Sequence, residues 1–322
     1  MSTRQIMPTL ALLVFMASHV TAQFVLVDIR KYGARPNGDI TMALTNAWKD
    51  GCESTIRSKI LVPNDMYKLR PIEFKGPCKA PIEMRVNGII QAPKNPNQLN
   101  GEDQWIRFGY VNFLTVSGQG TFDGQGEMAW KQNDCRIDKN CQKLSMNFGF
   151  GFVNNSIIRG ITSKDSKYFH VNVFGCKNIT FTNFKISAPA DSPNTDGIHI
   201  GKSSKVKITY SKIGTGDDCV SLGDGSREVT ILNVTCGPGH GISVGSLGKY
   251  QNEESVEDLI VKNCILKNTN NGLRIKSWPG TPIVSLASDL HFEDIIMINV
   301  SNPIIIDQEY CPWNQCTKQV FN

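Results

Sequence analysis

The sequence predicts an all-β protein: a single-stranded right-handed parallel β-helix with an N-terminal helical cap. Short β-branched strands recur at Ile157-Ile158, Ile179 to Thr182, Val206 to Thr209, Val229 to Leu232, Leu259 to Val261 and Leu290 to Phe292, with first residues 22, 27, 23, 30 and 31 positions apart. A second strand follows in each coil in matching register, and no helical pattern of ten or more residues lies between the repeats. A sandwich would instead place strands about 8 to 12 residues apart with hairpin signals.

The chain has 322 residues, 40% of them hydrophobic and 20% charged, with 28 Gly and 15 Pro. That composition supports a buried core and excludes disordered and collagen-like chains. At the N-terminus, Arg4 precedes an apolar run ending in Val20-Thr21-Ala22, the pattern of a signal peptide over residues 1–22. The run is too short for the roughly 20 residues that span a bilayer, so no membrane partner is expected. Residues 23–322 then form one domain with 33 basic and 29 acidic residues, a net +4 that suits a polyanionic partner. All ten cysteines lie beyond residue 22, which argues for disulfides in an exported chain. The shortest spacings make Cys135/Cys141, Cys219/Cys236 and Cys311/Cys316 the candidate local bridges. Sequons at Asn154, Asn178, Asn233 and Asn299 fit a secreted glycoprotein.

Along the chain, Thr41 to Cys52 carries Met42, Ala43, Ala47 and Trp48 towards one helical side and is expected to cover the open end of the first coil. The polar, Cys-bearing loop at 132–143 is expected to project. In the second strands, Ile198/Ile200, Val220/Leu222, Ile242/Val244 and Leu273/Ile275 alternate with polar residues and should face inward. His199, Ser221, Ser243 and Arg274 then form one outer column.

Just before these strands stand Asp196, Asp218, His240 and Asn271, the first three spaced 22 and 22 apart. Parallel neighbours lie about 4.8 Å apart, so these residues share a ledge. Two places past the outer column come Gly201, Gly223, Gly245 and Lys276, so three bare backbones would let an extended ligand lie close, bordered by Arg274 and Lys276. No block offers a closed ligand set, so neither metal nor cofactor is expected.

The cluster comprises Asn194-Thr195-Asp196, Gly216-Asp217-Asp218, Gly239-His240-Gly241 and Arg274-Ile275-Lys276. In these blocks the chain resembles the polygalacturonases, glycoside hydrolases of family 28 that cleave the galacturonan backbone of pectin. The likeness runs from Tyr32-Gly33-Ala34 to Asp307-Gln308-Glu309-Tyr310. It implies inverting hydrolysis with Asp217 as general acid, Asp196 and Asp218 positioning and deprotonating water, and His240 tuning the acid or orienting substrate. One of three crowded carboxylates should keep its proton to higher pH. Arg274 and Lys276 would pair with a galacturonate carboxylate, Asn194 and Tyr310 would contact substrate, and His199 is a further candidate contact.

Within the family the chain resembles the plant pollen-type exopolygalacturonases, which implies release of galacturonate from chain ends. Endo attack, a calcium-dependent pectate lyase and an inactive pectin-binding solenoid are the alternatives. The family continues beyond the Asp-Gln-x-Tyr segment, so the C-terminal coils are expected to be missing here. A monomer in the extracellular space or cell wall, with pectin and not nucleic acid as its partner, completes the expectation.

Overall fold

The structure, a computed structural model, describes residues 23–133, 144–281, 284–312 and 316. The leader at 1–22, Cys135 and Cys141 lie outside these residues. Three parallel sheets of ten, nine and nine strands run the length of the solenoid. One coil comprises Ser204–Thr209, Lys212–Gly214 and Val220–Leu222, and the next Arg227–Leu232, Thr235–Cys236 and Ile242–Leu247. The recurrent β-branched strands build the ten-stranded sheet, and the second strands build the sheet that carries the ledge. A third short strand in each coil was not expected from the sequence.

A single left-handed residue turns the chain between the first strand and the short third-sheet strand of several coils. Asn183, Asn233 and Asn263 all have φ between 49 and 55° there, a conformation that Asn tolerates better than most residues. Asn233 is also a sequon, as are the exposed Asn178 and Asn299 and the partly buried Asn154.

The inward residues pack as the alternation predicts: Ile198, Ile200, Val220, Leu222, Ile242 and Val244 are all buried. In the N-terminal coils the same register stacks Phe74 on Phe108 and Phe108 on Phe150, with ring centroids 5.1 and 5.3 Å apart. The cap helix is Thr41–Glu53. Its buried stripe is Ala43, Leu44, Ala47, Trp48 and Gly51, while Met42 is 69% exposed, which corrects the expectation for that residue. At about 100° per residue, 43, 44, 47, 48 and 51 share one arc and 42 falls outside it. Trp48 packs 4.9 Å from Phe74 and donates from Nε1 to the Lys75 carbonyl, and a Cys52–Cys78 bridge ties the helix end down.

Cys219–Cys236 and Cys311–Cys316 are bonded as their spacing suggested. Cys176 and Cys264 are buried free thiols, so the even count overstated the pairing. No described helix is long and apolar enough to cross a membrane.

Candidate active site

The register confirms the ledge. Ile198 pairs with Val220, Val220 with Ile242 and Ile242 with Leu273, so Asp196, Asp218, His240 and Asn271 precede equivalent positions on four successive coils. The outer column is equally regular, with His199 beside Ser221, Ser221 beside Ser243 and Ser243 beside Arg274. Ser221 and Ser243 point away from the core yet are buried, because the charged cluster covers them.

Asp218 is the centre of that cluster. Its side chain is 1% exposed and accepts from Ser243 Oγ at 2.7 Å, Arg274 Nη2 at 2.8 Å and Lys276 Nζ at 2.8 Å. Arg274 Nε also donates to Ser243 Oγ at 3.1 Å. The two cations expected to await a substrate carboxylate therefore already hold Asp218. Two positive charges share one carboxylate, leaving this part of the cluster with a surplus of one.

Asp217 faces the other way. Its side chain is 20% exposed, and its Oδ1 accepts the Asp218 backbone N–H at 2.8 Å and lies 3.0 Å from His240 Nδ1. Burial alone would raise its pKa. The His240 hydrogen bond and charge, the Asp218 N–H and the Lys276 charge outweigh burial and hold it below the ordinary carboxylate range. Asp196 behaves oppositely. Burial, then the Asp217 and Asp218 charges, push its pKa well above the ordinary value, against smaller opposing effects of Lys276 and Ser221. The carboxyl that keeps its proton is thus Asp196, whereas the resemblance placed the acid at Asp217. Asp217 Oδ1 and His240 Nδ1 share a hydrogen bond of 3.0 Å.

The remaining predicted residues fall around this core. Asn194 is exposed at φ 52° on the turn into Asp196. Tyr310 folds back so that its N–H donates to the Ser277 carbonyl, and its ring lies 5.0 Å from Lys276 Nζ and 5.8 Å from the Arg274 guanidinium. His199, a candidate substrate contact, turns its Nδ1 to Ser221 Oγ at 2.8 Å.

Two residues in the cleft were missed. Phe169 occupies the Asp196 position one coil earlier, since Val171 pairs with Ile198, and its ring is 5.4 Å from His199. Tyr168 stacks on Phe169 at 4.4 Å, and burial followed by the Asp196 and Asp217 charges and Tyr310 pushes its hydroxyl up to about 12. Extending the ledge backward by the 27-residue interval would have found Phe169.

Asp217, Asp218 and His240 each bring a possible ligand atom within 4.8 Å of the others. A cation there would face Arg274 and Lys276, which already occupy both Asp218 oxygens. Such a donor set does not fit a divalent ion well.

Residues 52–322 match the model for glycosyl hydrolases family 28. A polygalacturonase of Medicago sativa is 59% identical over 309 residues, covering 95% of this chain and 73% of that one. An exopolygalacturonase of Oenothera organensis is 54% identical over 285 residues, covering 88% and 78%. The solved structure of an endo-xylogalacturonan hydrolase from Aspergillus tubingensis superposes with a TM-score of 0.78 at 25% identity, covering 89% of this chain and 77% of that chain. With its three-sheet solenoid and its outward carboxylates in register, the chain belongs to the glycosyl hydrolases of family 28.

Proposed function

We propose that the chain is a secreted, monomeric polygalacturonase that leaves the cell with removal of residues 1–22 and hydrolyses α-1,4-galacturonosyl linkages of pectin in the wall, releasing galacturonate from chain ends. The observation that carries the reading is the outward lattice in which Asp196, Asp217 and Asp218 stand against Arg274 and Lys276. Relatives named polygalacturonase and exopolygalacturonase support the substrate and the exo mode.

Asp217 is the carboxyl most open to the groove, so it protonates the leaving glycosidic oxygen, drawing on the proton it shares with His240. Asp196 and Asp218 hold water, and Asp196 takes its proton as the oxygen attacks the anomeric carbon and the bond to the leaving sugar breaks, giving inversion. Asp218 is held in place between Arg274 and Lys276. The surplus positive charge of Arg274 and Lys276 receives a galacturonate carboxylate, and Asn194 and Tyr310 border the same space. Asp196 works as a base only when ionised, so activity falls as pH drops below its raised pKa.

Time-resolved product analysis on polygalacturonate, beside Asp217→Asn, tests this. Monomer from the first time point with little loss of viscosity is expected, and turnover should fall roughly 10²–10⁴-fold in the variant. Mixed oligomers with early loss of viscosity would mean endo attack. No product from folded wild type would leave a pectin-binding solenoid.

A further inference from the structure

Beneath the carboxylates runs a hydrogen-bonded chain that the reaction outlined above does not use. Asp196 Oδ2 accepts from Ser221 Oγ at 3.1 Å, and Ser221 Oγ lies 2.8 Å from His199 Nδ1. Ser221 is buried. The His199 ring crosses to the next coil and lies over Gly223, where an added Cβ would meet Nε2 at 3.3 Å and Cε1 at 3.4 Å. The bare glycine column thus gives the imidazole its place, with one nitrogen on the chain to Asp196 and the other above the groove floor.

We propose that Ser221 and His199 are positioning residues that form a proton relay for Asp196, carrying its proton between the buried carboxyl and the groove. The inference rests on the reading of Asp196 as the base that activates water.

The chain is satisfied in both protonation states. With Asp196 ionised, Ser221 donates to Oδ2 and accepts from a His199 protonated on Nδ1. With Asp196 protonated, its O–H donates to Ser221 Oγ, Ser221 donates to Nδ1, and the ring carries its proton on Nε2. Interconversion is a concerted shift: the Asp196 proton moves to Ser221 Oγ, the Ser221 proton moves to Nδ1, and the Nε2 proton leaves to solvent. Before the next turnover the ring exchanges its Nδ1 proton for one on Nε2 through solvent, so that one proton leaves at Nε2 for each one taken from water at Asp196. Each turnover leaves Asp196 with one proton too many, which must leave before the next, and the chain offers it a route.

The surrounding charges suit the relay. Asp196 faces Asp217, Asp218, Lys276 and Tyr168, and His199 faces Lys276, Asp218 and Asp224. His240 is paired with Asp217, and Arg274 with Asp218. Burial, then Lys276, hold the His199 pKa down to about 4, so the ring is neutral and can pass a proton without trapping it.

The test is kcat, KM and the pH–rate profile of Ser221→Ala, Ser221→Thr and His199→Asn on polygalacturonate. Ser221→Ala removes a donor to the ionised carboxylate, so the acid limb is expected to move to higher pH by about one unit, with kcat down roughly tenfold and KM held within about twofold. Ser221→Thr keeps the hydroxyl and should restore both. His199→Asn keeps a donor near the Nδ1 position but has no second nitrogen, so kcat should fall with the limb in place. A Ser221→Ala profile that superimposes on wild type overturns the relay, as does a joint loss of kcat and KM with an unmoved limb that Thr does not rescue. Should Ser221→Ala fail to fold, His199→Asn decides, and an unchanged kcat overturns the proposal. Inactive wild type would overturn the enzymatic reading instead. The Asp196 titration would then be followed by NMR in wild type and Ser221→Thr against Ser221→Ala, and identical midpoints in all three would overturn the relay.

Discussion

Leu222 and Ser243 lie on adjacent strands of one sheet and are both 0% exposed, yet opposite physics buries them. Leu222 points into the solenoid, where any aliphatic side chain of similar volume can fill the space and contacts are non-directional. Ser243 points outward and is covered by Asp218, Arg274 and Lys276, each held by a specific partner. Removing one member of that outer lattice strands a buried charge. Desolvation cancels much of what such ion pairs gain, so the outer face contributes to stability far less than its bond count suggests. The inner face carries the fold and the outer face carries the chemistry.

Leu222→Ala breaks this comparison most strongly. Truncation of a fully buried leucine should lower unfolding free energy by about 2–5 kcal/mol, while kcat/KM per folded molecule stays near wild type. Denaturant titration beside activity assays checks it. A large loss of turnover with intact stability would mean that the core positions the carboxylates more delicately than the separation of faces allows.

The two faces also differ in how far the sequence reveals them. The inner face is legible because alternation has a period of two, and Ile198/Ile200 through Leu273/Ile275 repeat it in four coils. The ledge is legible because its spacing is constant over Asp196, Asp218 and His240. The third sheet escaped because its strands are so short, as in Lys185–Ser187 and Thr235–Cys236. Two or three residues with one buried side chain cannot display alternation. Which carboxyl keeps its proton was equally hidden. Asp217 and Asp218 adjoin in sequence, but one meets an imidazole from the next coil and the other meets cations from two coils on, and Asp196 is set apart by what covers it.

A pH series sharpens the contrast through His170, a titratable group enclosed within the solenoid. It is fully buried, its Nδ1 lies 2.8 Å from Ser163 Oγ, and burial pushes its pKa down to about 3. Between pH 6.5 and about 3 the unfolded chain binds a proton here that the folded chain does not. Stability from this site is therefore present above that window and is lost as pH falls through it, by about 1.4 kcal/mol per pH unit. Asp196 has the opposite sign, since its raised pKa favours the folded state when protonated and that contribution is lost as pH rises. The difference between wild type and His170→Leu isolates the histidine. Parallel stability curves for the two proteins over pH 4 to 6.5 would refute the assignment.

The smallest effect is expected where the inner face loses its neighbour. Ile304 continues the inward column of Ile242 and Leu273 by register, but its strand, Asn302–Asp307, is the outermost of its sheet and Ile304 is 74% exposed. The same residue type in the same column therefore has little apolar surface to lose, and Ile304→Ala should change stability by no more than about 0.5 kcal/mol, against several for Leu222→Ala. Equal losses at the two positions would show that Ile304 is covered in solution, either by a partner surface or by further chain. Position in the stack would then no longer account for what each aliphatic side chain contributes.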